Sequence, residues 1–369
     1  MKDNLKIIQE LHKTDFKFVI VSSGGGSNAV GTLLKVPGAS NSVLEAYIPY
    51  AKESLDFYLL RKPDFYCSKD TTLRMAARAY SAAKKIDPNS DVSTLFGVAI
   101  TATLSTTYEK KGEHRFHIAL QTETYSKSIS CVLQKGDRTR EEEEALVTEF
   151  VIALLAESSA LEYPYPKISE DFEAEKVEGN KEWIDLMSDD SLFVSSNSKK
   201  PNLIFPGTFN PIHEGHRKMQ DLAEKKTGDK AYFEICIQNA DKPPLSYHHI
   251  KDTLSQFTDK DCWVLTKAGK FPDKAKMFKG STFVIGADTL TRMLDERFYP
   301  SRKDMLSEFS IFNENNNKFL VFGRKLNEKF ITLADIDVPE FIKERFTGFD
   351  EQIFRDDISS TSLRLAENS

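Results

Sequence analysis

Apolar residues along the chain fall into short strand-like runs separated by segments with helical spacing. Residues 16–21 (FKFVIV) form an apolar run that ends in Ser-Ser-Gly-Gly-Gly, a pattern typical of a buried strand followed by a glycine turn. Further patterns in this half predict strands at 95–103 and 116–122 and helices at 4–12, 68–86 and 141–157. Four acidic residues, 141–144, open the last helix, and we expect them to form a solvated start that suits the helix macrodipole.

The same alternation resumes in the second half. Residues 202–205 (NLIF) predict a strand that ends in a second glycine turn. Later patterns predict strands at 232–237, 263–265, 282–285 and 319–322 and helices at 217–224, 247–257 and 288–296. Strands that alternate with helices indicate an α/β fold with a parallel sheet. Residues 158–200 are acidic, serine-rich and interrupted by prolines, so we expect a linker with one short helix between domains 1–157 and 201–369.

Composition limits the functional classes. The chain has 369 residues, of which 40% are apolar and 29% charged, which excludes wholesale disorder. The net charge is -6, so the chain has no excess of basic residues to neutralise a nucleic-acid backbone. It also has no run of about 18 apolar residues, which a membrane-spanning helix would need. The four cysteines form no CxxC pair, and the charged N-terminus lacks a secretory signal. We therefore expect a cytoplasmic protein without nucleic-acid or membrane partners.

The most informative motif is the segment 207–216, Gly-Thr-Phe-Asn-Pro-Ile-His-Glu-Gly-His, between a predicted strand and a predicted helix. In a parallel sheet this junction lies at the carboxyl end of the strand, where ligands bind. Gly207 would let the backbone approach a phosphate, and His213 and His216 would share one helical turn. Two imidazole donors suit the charge that develops at an α-phosphorus under attack. Zinc is disfavoured because the histidines are three residues apart rather than four, and a pair of surface histidines is the remaining alternative.

This segment resembles the signature of the HxGH nucleotidylyltransferase superfamily. Residues 358–364, Ile-Ser-Ser-Thr-Ser-Leu-Arg, resemble the ISSTxxR motif of its nicotinamide or nicotinate mononucleotide adenylyltransferases. Cytidylyltransferases of the superfamily usually carry a different second motif, so ATP is favoured over CTP. The resemblance implies a Rossmann-like domain in which His213 and His216 are catalytic. It also implies that ATP and its phosphates are held by Gly207, Thr208, Phe209, Ser359, Ser360, Thr361 and Arg364, with Mg²⁺ bound mainly by the nucleotide.

Three further segments fit the same resemblance, which spans roughly residues 202–366. Gly286 and Asp288, in the sequence FVIGAD, match a turn that faces the bound nucleotide, although Asp288 is equally suited to cap a helix. Arg324 follows a predicted strand at a position that the family uses near the phosphates. Lys242 stands where relatives hold an acceptor-binding or phosphate-binding lysine, and a surface-loop lysine is an equal alternative.

The first half resembles the C-terminal domain of CinA, a family that includes nicotinamide-nucleotide amidohydrolases. Ser23 matches the nucleophilic serine of that family, and Tyr50 matches an active-site tyrosine. However, Leu55 replaces the family lysine, and residues 101–106 lack the Gly and Pro of the family loop. A nucleophilic serine needs a base. Three interpretations stay open: a catalytically silent CinA-like domain with a vestigial site, which we favour, an active amidohydrolase with a relocated base, and a coincidental glycine turn.

Taken together, these resemblances predict adenylyl transfer from ATP to a pyridine mononucleotide, with pyrophosphate as the second product. One alternative is an adenylyltransferase for another phosphomonoester, such as phosphopantetheine. A second alternative is a nucleotide-binding sensor or scaffold without catalysis. We expect ATP and the mononucleotide as ligands and a homo-oligomer as a possible assembly.

Overall fold

The computed structural model describes residues 2–108, 110–238, 243–326 and 329–355. The chain divides into two compact units. The N-terminal unit comprises residues 1–184 and also takes residues 240–251 from the middle of the second half. The C-terminal unit comprises residues 185–239 and 252–369.

The N-terminal unit is built on one mixed sheet. Among the described residues its strands are β1 (Lys17–Gly24), β2 (Val43–Tyr47), β3 (Leu95–Thr103), β4 (His114–Gln121), β5 (Tyr125–Leu133) and β6 (Phe172–Glu178). They lie in the order β2-β1-β3-β4-β5-β6. The first strand pairs in parallel with both of its neighbours, and the remaining pairs are antiparallel.

Helices cover both faces of this sheet. They are α1 (Lys2–Leu11), α2 (Asn28–Leu34), α3 (Lys52–Leu59), α4 (Lys69–Ile86) and α5 (Arg140–Ser158). Phe18 and Ile20 of β1 point into a core shared with α1, α2 and α5, whereas Val19 and Val21 point into a core shared with α3 and α4. A strand buried on both faces reads as a continuous apolar run, which explains the predicted strand at 16–21.

The C-terminal unit contains a second, mostly parallel sheet. Its strands among the described residues are β7 (Phe193–Ser195), β8 (Leu203–Pro206), β9 (Ala231–Cys236), β10 (Cys262–Thr266), β11 (Thr282–Gly286), β12 (Lys318–Phe322), β13 (Arg324–Leu326), β14 (Lys329–Ile331) and β15 (Phe346–Phe349). The main sheet has the order β15-β12-β11-β8-β9-β10-β7, and β13 and β14 form a separate hairpin. Only the edge strand β7 is antiparallel among its described pairs.

The helices of the second half are α6 (Lys181–Met187), α7 (Glu214–Thr227), α8 (Tyr247–Leu254), α9 (Phe271–Met277), α10 (Ala287–Met293) and α11 (Arg302–Glu314). One face of the sheet packs on a core with Phe283, Phe309 and Phe319, and the other face carries an aromatic cluster around Phe205 and Phe233. The predicted α/β class and the predicted parallel sheet of the second half are therefore confirmed.

The segment 158–200, which the sequence predicts as a linker, is more structured than expected. Its strand β6 extends the N-terminal sheet by pairing with β5, and its strand β7 forms the edge of the C-terminal sheet by pairing with β10. The expected short helix is α6. Edge strands with charged, half-exposed residues lack the apolar run that signals a buried strand, which is why pattern reasoning missed them. In the described part of the chain, every helix is too short or too polar to cross a membrane.

Candidate active site

The candidate site lies where the chain order of the parallel sheet reverses. From β8 the chain proceeds to β9 and β10 on one side, and then returns to β11 and β12 on the other side. The segment 207–213 leaves the carboxyl end of β8, and Gly286 ends the adjacent strand β11. A reversal of this kind opens a crevice at the carboxyl ends of the two central strands, which is where open α/β sheets bind their ligands.

His213 and His216 lie together at the start of α7. His213 is the N-cap of the helix, with extended backbone (φ -139°, ψ 174°), and His216 is the third helical residue. The backbone N–H of His213 donates to His216 Nδ1 at 3.2 Å, while the His213 side chain faces the backbone N–H of His216. The two rings stack with their centroids 3.7 Å apart. The pair therefore replaces the usual Ser/Thr and Glu of a capping box, and the local helix geometry brings the two rings together.

This hydrogen bond determines the tautomer of His216. Because Nδ1 accepts a hydrogen bond from the His213 N–H, the neutral ring carries its proton on Nε2, on the far side of the ring from that amide. Burial, followed by the neighbouring His213 and Arg324, lowers the pKa of His216 to about 3. The side chain is thus a neutral N–H donor at physiological pH. Neutral donors of this kind stabilise developing negative charge without first needing a proton.

The ring of Phe209 packs against the histidine pair. Its ring is 1% exposed and lies edge-on to His216, with centroids 5.1 Å apart, and it also contacts Phe205 and Phe233. A Cβ on Gly207 would lie 2.5 Å from this ring. The sequence assigns both residues to phosphate binding. The Phe209 side chain is buried in the hydrophobic packing, so the predicted contact of this residue with a phosphate would involve its backbone, and the closeness of the ring gives Gly207 a second reason to be glycine.

Asp288 and Arg324 converge on the turn after β11. A Cβ on Gly286 would overlap Asp288 Oδ1 and would lie 3.3 Å from Cγ of Arg324. Gly286 is the N-cap of α10, and Asp288 is the second residue of that helix. The structure therefore places the Asp288 side chain against Gly286, at the start of α10. Arg324 is also among the groups that lower the pKa of His216, so the turn and the histidine pair share one electrostatic environment.

One group at this loop is absent from the sequence predictions. Gln256, just after α8, donates from Nε2 to the carbonyl of Phe209 at 2.9 Å and accepts the backbone N–H of Ile212 on Oε1 at 2.8 Å. Arg217 of α7 forms an ion pair with Asp261 in the same stretch of chain. A lone glutamine in a polar segment carries no pattern that would have indicated these contacts.

Several of the predicted site residues lie outside the described residues. They are Lys242, Ser359, Ser360, Thr361 and Arg364. Thr208 lies within the described part of the chain. It is exposed in the segment 207–213, which leads from β8 to the histidine pair and is called the histidine loop below.

The predicted residues of the N-terminal half are arranged differently. Ser23 is the penultimate residue of β1, and its hydroxyl donates to the carbonyl of Pro49 at 2.9 Å. Tyr50 is 70% exposed, and Nζ of Lys52 lies over the ring of Tyr66, 5.6 Å from its centroid. The Ser23 hydroxyl is therefore engaged with a backbone carbonyl, and no described hydrogen bond links it to a basic side chain.

The glycine turn beside Ser23 is occupied by acidic residues of this chain. The N–H of Gly26 donates to Glu144 Oε2 at 2.8 Å, and the N–H of Ser105 donates to Glu143 Oε2 at 2.6 Å. Glu143 is fully buried and also bonds His114 at 2.8 Å. The expectation of a solvated helix start at 141–144 is wrong for these two residues, because the fold directs them inward to backbone amides that an anionic ligand could otherwise use.

Comparisons with known proteins bear on each half separately. The cytidylyltransferase-like family matches residues 204–366. The N-terminal region is similar to solved structures of the CinA group. One is the competence/damage inducible protein CihA from Agrobacterium tumefaciens, with 17% identity over 42% of this chain and 95% of that chain and a TM-score of 0.34. Another is a competence-damaged protein (CinA) superfamily protein from Escherichia coli, with 15% identity over 41% of this chain and 86% of that chain and a TM-score of 0.32.

No curated protein matches this chain significantly in sequence. The family match of the second half begins within β8 and includes the histidine loop, the turn after β11 and Arg324. Residues 204–366 are therefore similar to the cytidylyltransferase-like family, and this similarity supports nucleotidyl transfer in general.

Proposed function

We propose that the C-terminal half transfers an adenylyl group from ATP to nicotinamide or nicotinate mononucleotide and releases pyrophosphate. The observation that carries the proposal is the stacked pair His213 and His216 at the carboxyl end of β8, at the point where the strand order reverses. A pair of buried imidazoles, one of them held as a neutral Nε2–H donor, suits a reaction in which negative charge grows on phosphoryl oxygens.

In this reaction a phosphate oxygen of the acceptor attacks the α-phosphorus of ATP. The new P–O bond forms as the bond to the β-phosphate bridging oxygen breaks, and pyrophosphate leaves with that electron pair. No protein nucleophile is required, because phosphoryl-type transfer depends on positioning and charge stabilisation. Each histidine donor would contribute about 10²–10³ in rate, the amount typical of an oxyanion-hole donor.

The other residues have supporting roles in this proposal. Thr208 is exposed at the same loop, and the Arg324 guanidinium lies close enough to His216 to affect its charge state. These groups, with Ser359, Ser360, Thr361 and Arg364, would bind the triphosphate, and Asp288 and Lys242 would face the nucleotide and the acceptor. Mg²⁺ would enter the site bound to the phosphates of ATP and would neutralise part of their charge. The motif at 358–364 supports ATP as donor and a pyridine mononucleotide as acceptor.

The experiment is a product assay with the full chain, Mg²⁺, either ATP or CTP, and a panel of acceptors. Mass spectrometry should detect the adenylylated dinucleotide of a pyridine mononucleotide with ATP, and little product with CTP. Product from phosphopantetheine alone would favour the other adenylyltransferase. Failure of both pyridine mononucleotides to turn over would end the proposed acceptor class.

Substitution of His216 separates an enzyme from a nucleotide sensor. His216→Ala should lower kcat by about 10² or more and leave ATP affinity largely intact, because the lost donor acts mainly in the transition state. The half-buried His117 of the N-terminal unit provides a matched histidine-to-alanine control, which should keep wild-type turnover. Equal activity of the His216→Ala and His117→Ala variants would show that the site is misassigned.

For the N-terminal half we propose a domain without amidohydrolase activity. Ser23 donates to a carbonyl, and the glycine-turn amide that would receive an anion already binds Glu144. Incubation with nicotinamide mononucleotide should release no ammonia above background, and Ser23→Ala should not change this. Steady ammonia release that Ser23→Ala abolishes would overturn the proposal.

A further inference from the structure

Gln256 bridges the backbone of the histidine loop. Its amide nitrogen donates to the Phe209 carbonyl, and its amide oxygen accepts the N–H of Ile212. The same nitrogen also lies 3.4 Å from the carbonyls of Asp252 and Thr253, in the last turn of α8. One planar amide thus connects the end of α8 to two points of the loop, and the second point immediately precedes His213.

The loop needs such support because Phe209 adopts an unfavourable conformation. Its φ is +43°, in the left-handed region that bulky residues rarely occupy. Residues in this region persist when the surrounding structure over-determines them, and they are common near functional sites. Phe257, one residue after Gln256, stacks on Phe233 at 5.0 Å and contacts the ring of Phe209 at 6.2 Å. Gln256 holds the backbone of the loop, and Phe257 packs against its ring.

We propose that Gln256 is a positioning residue for His213 and His216, because its amide holds the backbone of the loop that leads into the histidine pair. This inference rests on the proposed function only where turnover is measured, because the order of the loop can be followed without any reaction.

The kinetic test compares two substitutions in the full chain. Gln256→Ala should lower kcat about tenfold or more and change KM for ATP less than twofold, because misplaced histidines affect the transition state more than binding. Gln256→Glu keeps the size of the side chain but, when ionised, cannot donate to Phe209. An ordinary glutamate is almost fully ionised at about pH 7.5, so this variant should lose kcat to about the same extent as Gln256→Ala. Wild-type kcat in Gln256→Glu would contradict a positioning role for the amide.

The second test is hydrogen exchange of the loop, which is independent of turnover. The N–H of Ile212 donates to Gln256, so a peptide spanning 207–216 should exchange faster in Gln256→Ala. Lys251→Ala removes an exposed side chain of α8 that pairs with Glu175, and it should leave the peptide unchanged.

The possible results are distinct. Faster exchange in Gln256→Ala, with wild-type exchange in Lys251→Ala, supports the inference even if no acceptor turns over, in which case only the proposed function fails. Wild-type exchange in Gln256→Ala refutes the inference even if the protein is an active adenylyltransferase.

Discussion

The protonation state of His216 is the property of this site that can be predicted in most detail. An unperturbed histidine has a pKa near 6.5, whereas burial and its charged neighbours lower the pKa of His216 to about 3. Lowering the pH distinguishes His216 from an ordinary histidine. At about pH 5.5 an ordinary histidine is roughly nine-tenths protonated, but His216 should remain neutral. Protonation would also eliminate the lone pair that accepts the N–H of His213, so the helix cap and the neutral ring are lost together.

The direction of the stability effect follows from the same shift. The pKa of His216 is lower in the folded chain than in the unfolded chain. Below about pH 6.5 the unfolded chain therefore binds a proton at this residue and the folded chain does not. The stability that His216 contributes is therefore complete above about pH 6.5 and declines as pH falls toward 3. One pKa unit corresponds to 1.36 kcal/mol, so acidification from about pH 6.5 to about pH 5 would remove at most about 2 kcal/mol through this residue.

The assay is a nitrogen-15 NMR titration of the imidazole rings. The protein has seven histidines, and a His216→Gln variant identifies the signal. In the folded protein this signal should show the neutral Nε2–H tautomer and stay constant from pH 8 to about pH 5. In urea the same ring should titrate near pH 6.5, which provides the matched control. A midpoint between pH 6 and 7 in the folded protein would contradict the lowered pKa, and the Nδ1–H tautomer would contradict the hydrogen bond from His213.

Three further predictions concern other residues. Gly207→Ala should lower kcat about tenfold or more, since its Cβ would lie 2.5 Å from the Phe209 ring and displace it; wild-type kinetics would contradict this contact. Lys274→Met should destabilise the C-terminal unit by about 3–5 kcal/mol in urea unfolding, because it leaves Glu234, which is 1% exposed, without the cation 2.5 Å away. Adding Glu234→Gln should recover most of that loss, and an equally unstable double variant would argue against the pair. Ser23→Ala should change neither activity nor ammonia release, which a coupled ammonia assay can check.

Local sequence patterns were sufficient for most of the central elements. The predicted strand at 95–103 matches β3, and the predicted helix at 68–86 differs from α4 by one residue. These segments are apolar or amphipathic along their length, so their burial is visible in the sequence. The strand β2 and the strand β6 were not predicted, because at a sheet edge half of the side chains face solvent and the apolar signal is weak.

The candidate site divides in the same way. His213 and His216 could be selected from the sequence because three-residue spacing at a helix start brings two side chains together by local geometry alone. The contact between Gly207 and the ring of Phe209 is also local. It depends on the left-handed backbone of Phe209, which no residue pattern predicted. Gln256 lies 44 residues from Ile212, and only the folded chain brings their atoms together.

The α/β class, the glycine turns at the ends of the central strands and the paired histidines could be predicted from residue patterns, since each follows from short-range periodicity or spacing. The folded chain was needed to show which amides those turns still expose, which amide Glu144 binds and which contacts hold the histidine loop in place. The physical reason is that a hydrogen bond between distant segments depends on where the whole fold places the two groups. A sequence pattern reports only what neighbouring residues can do.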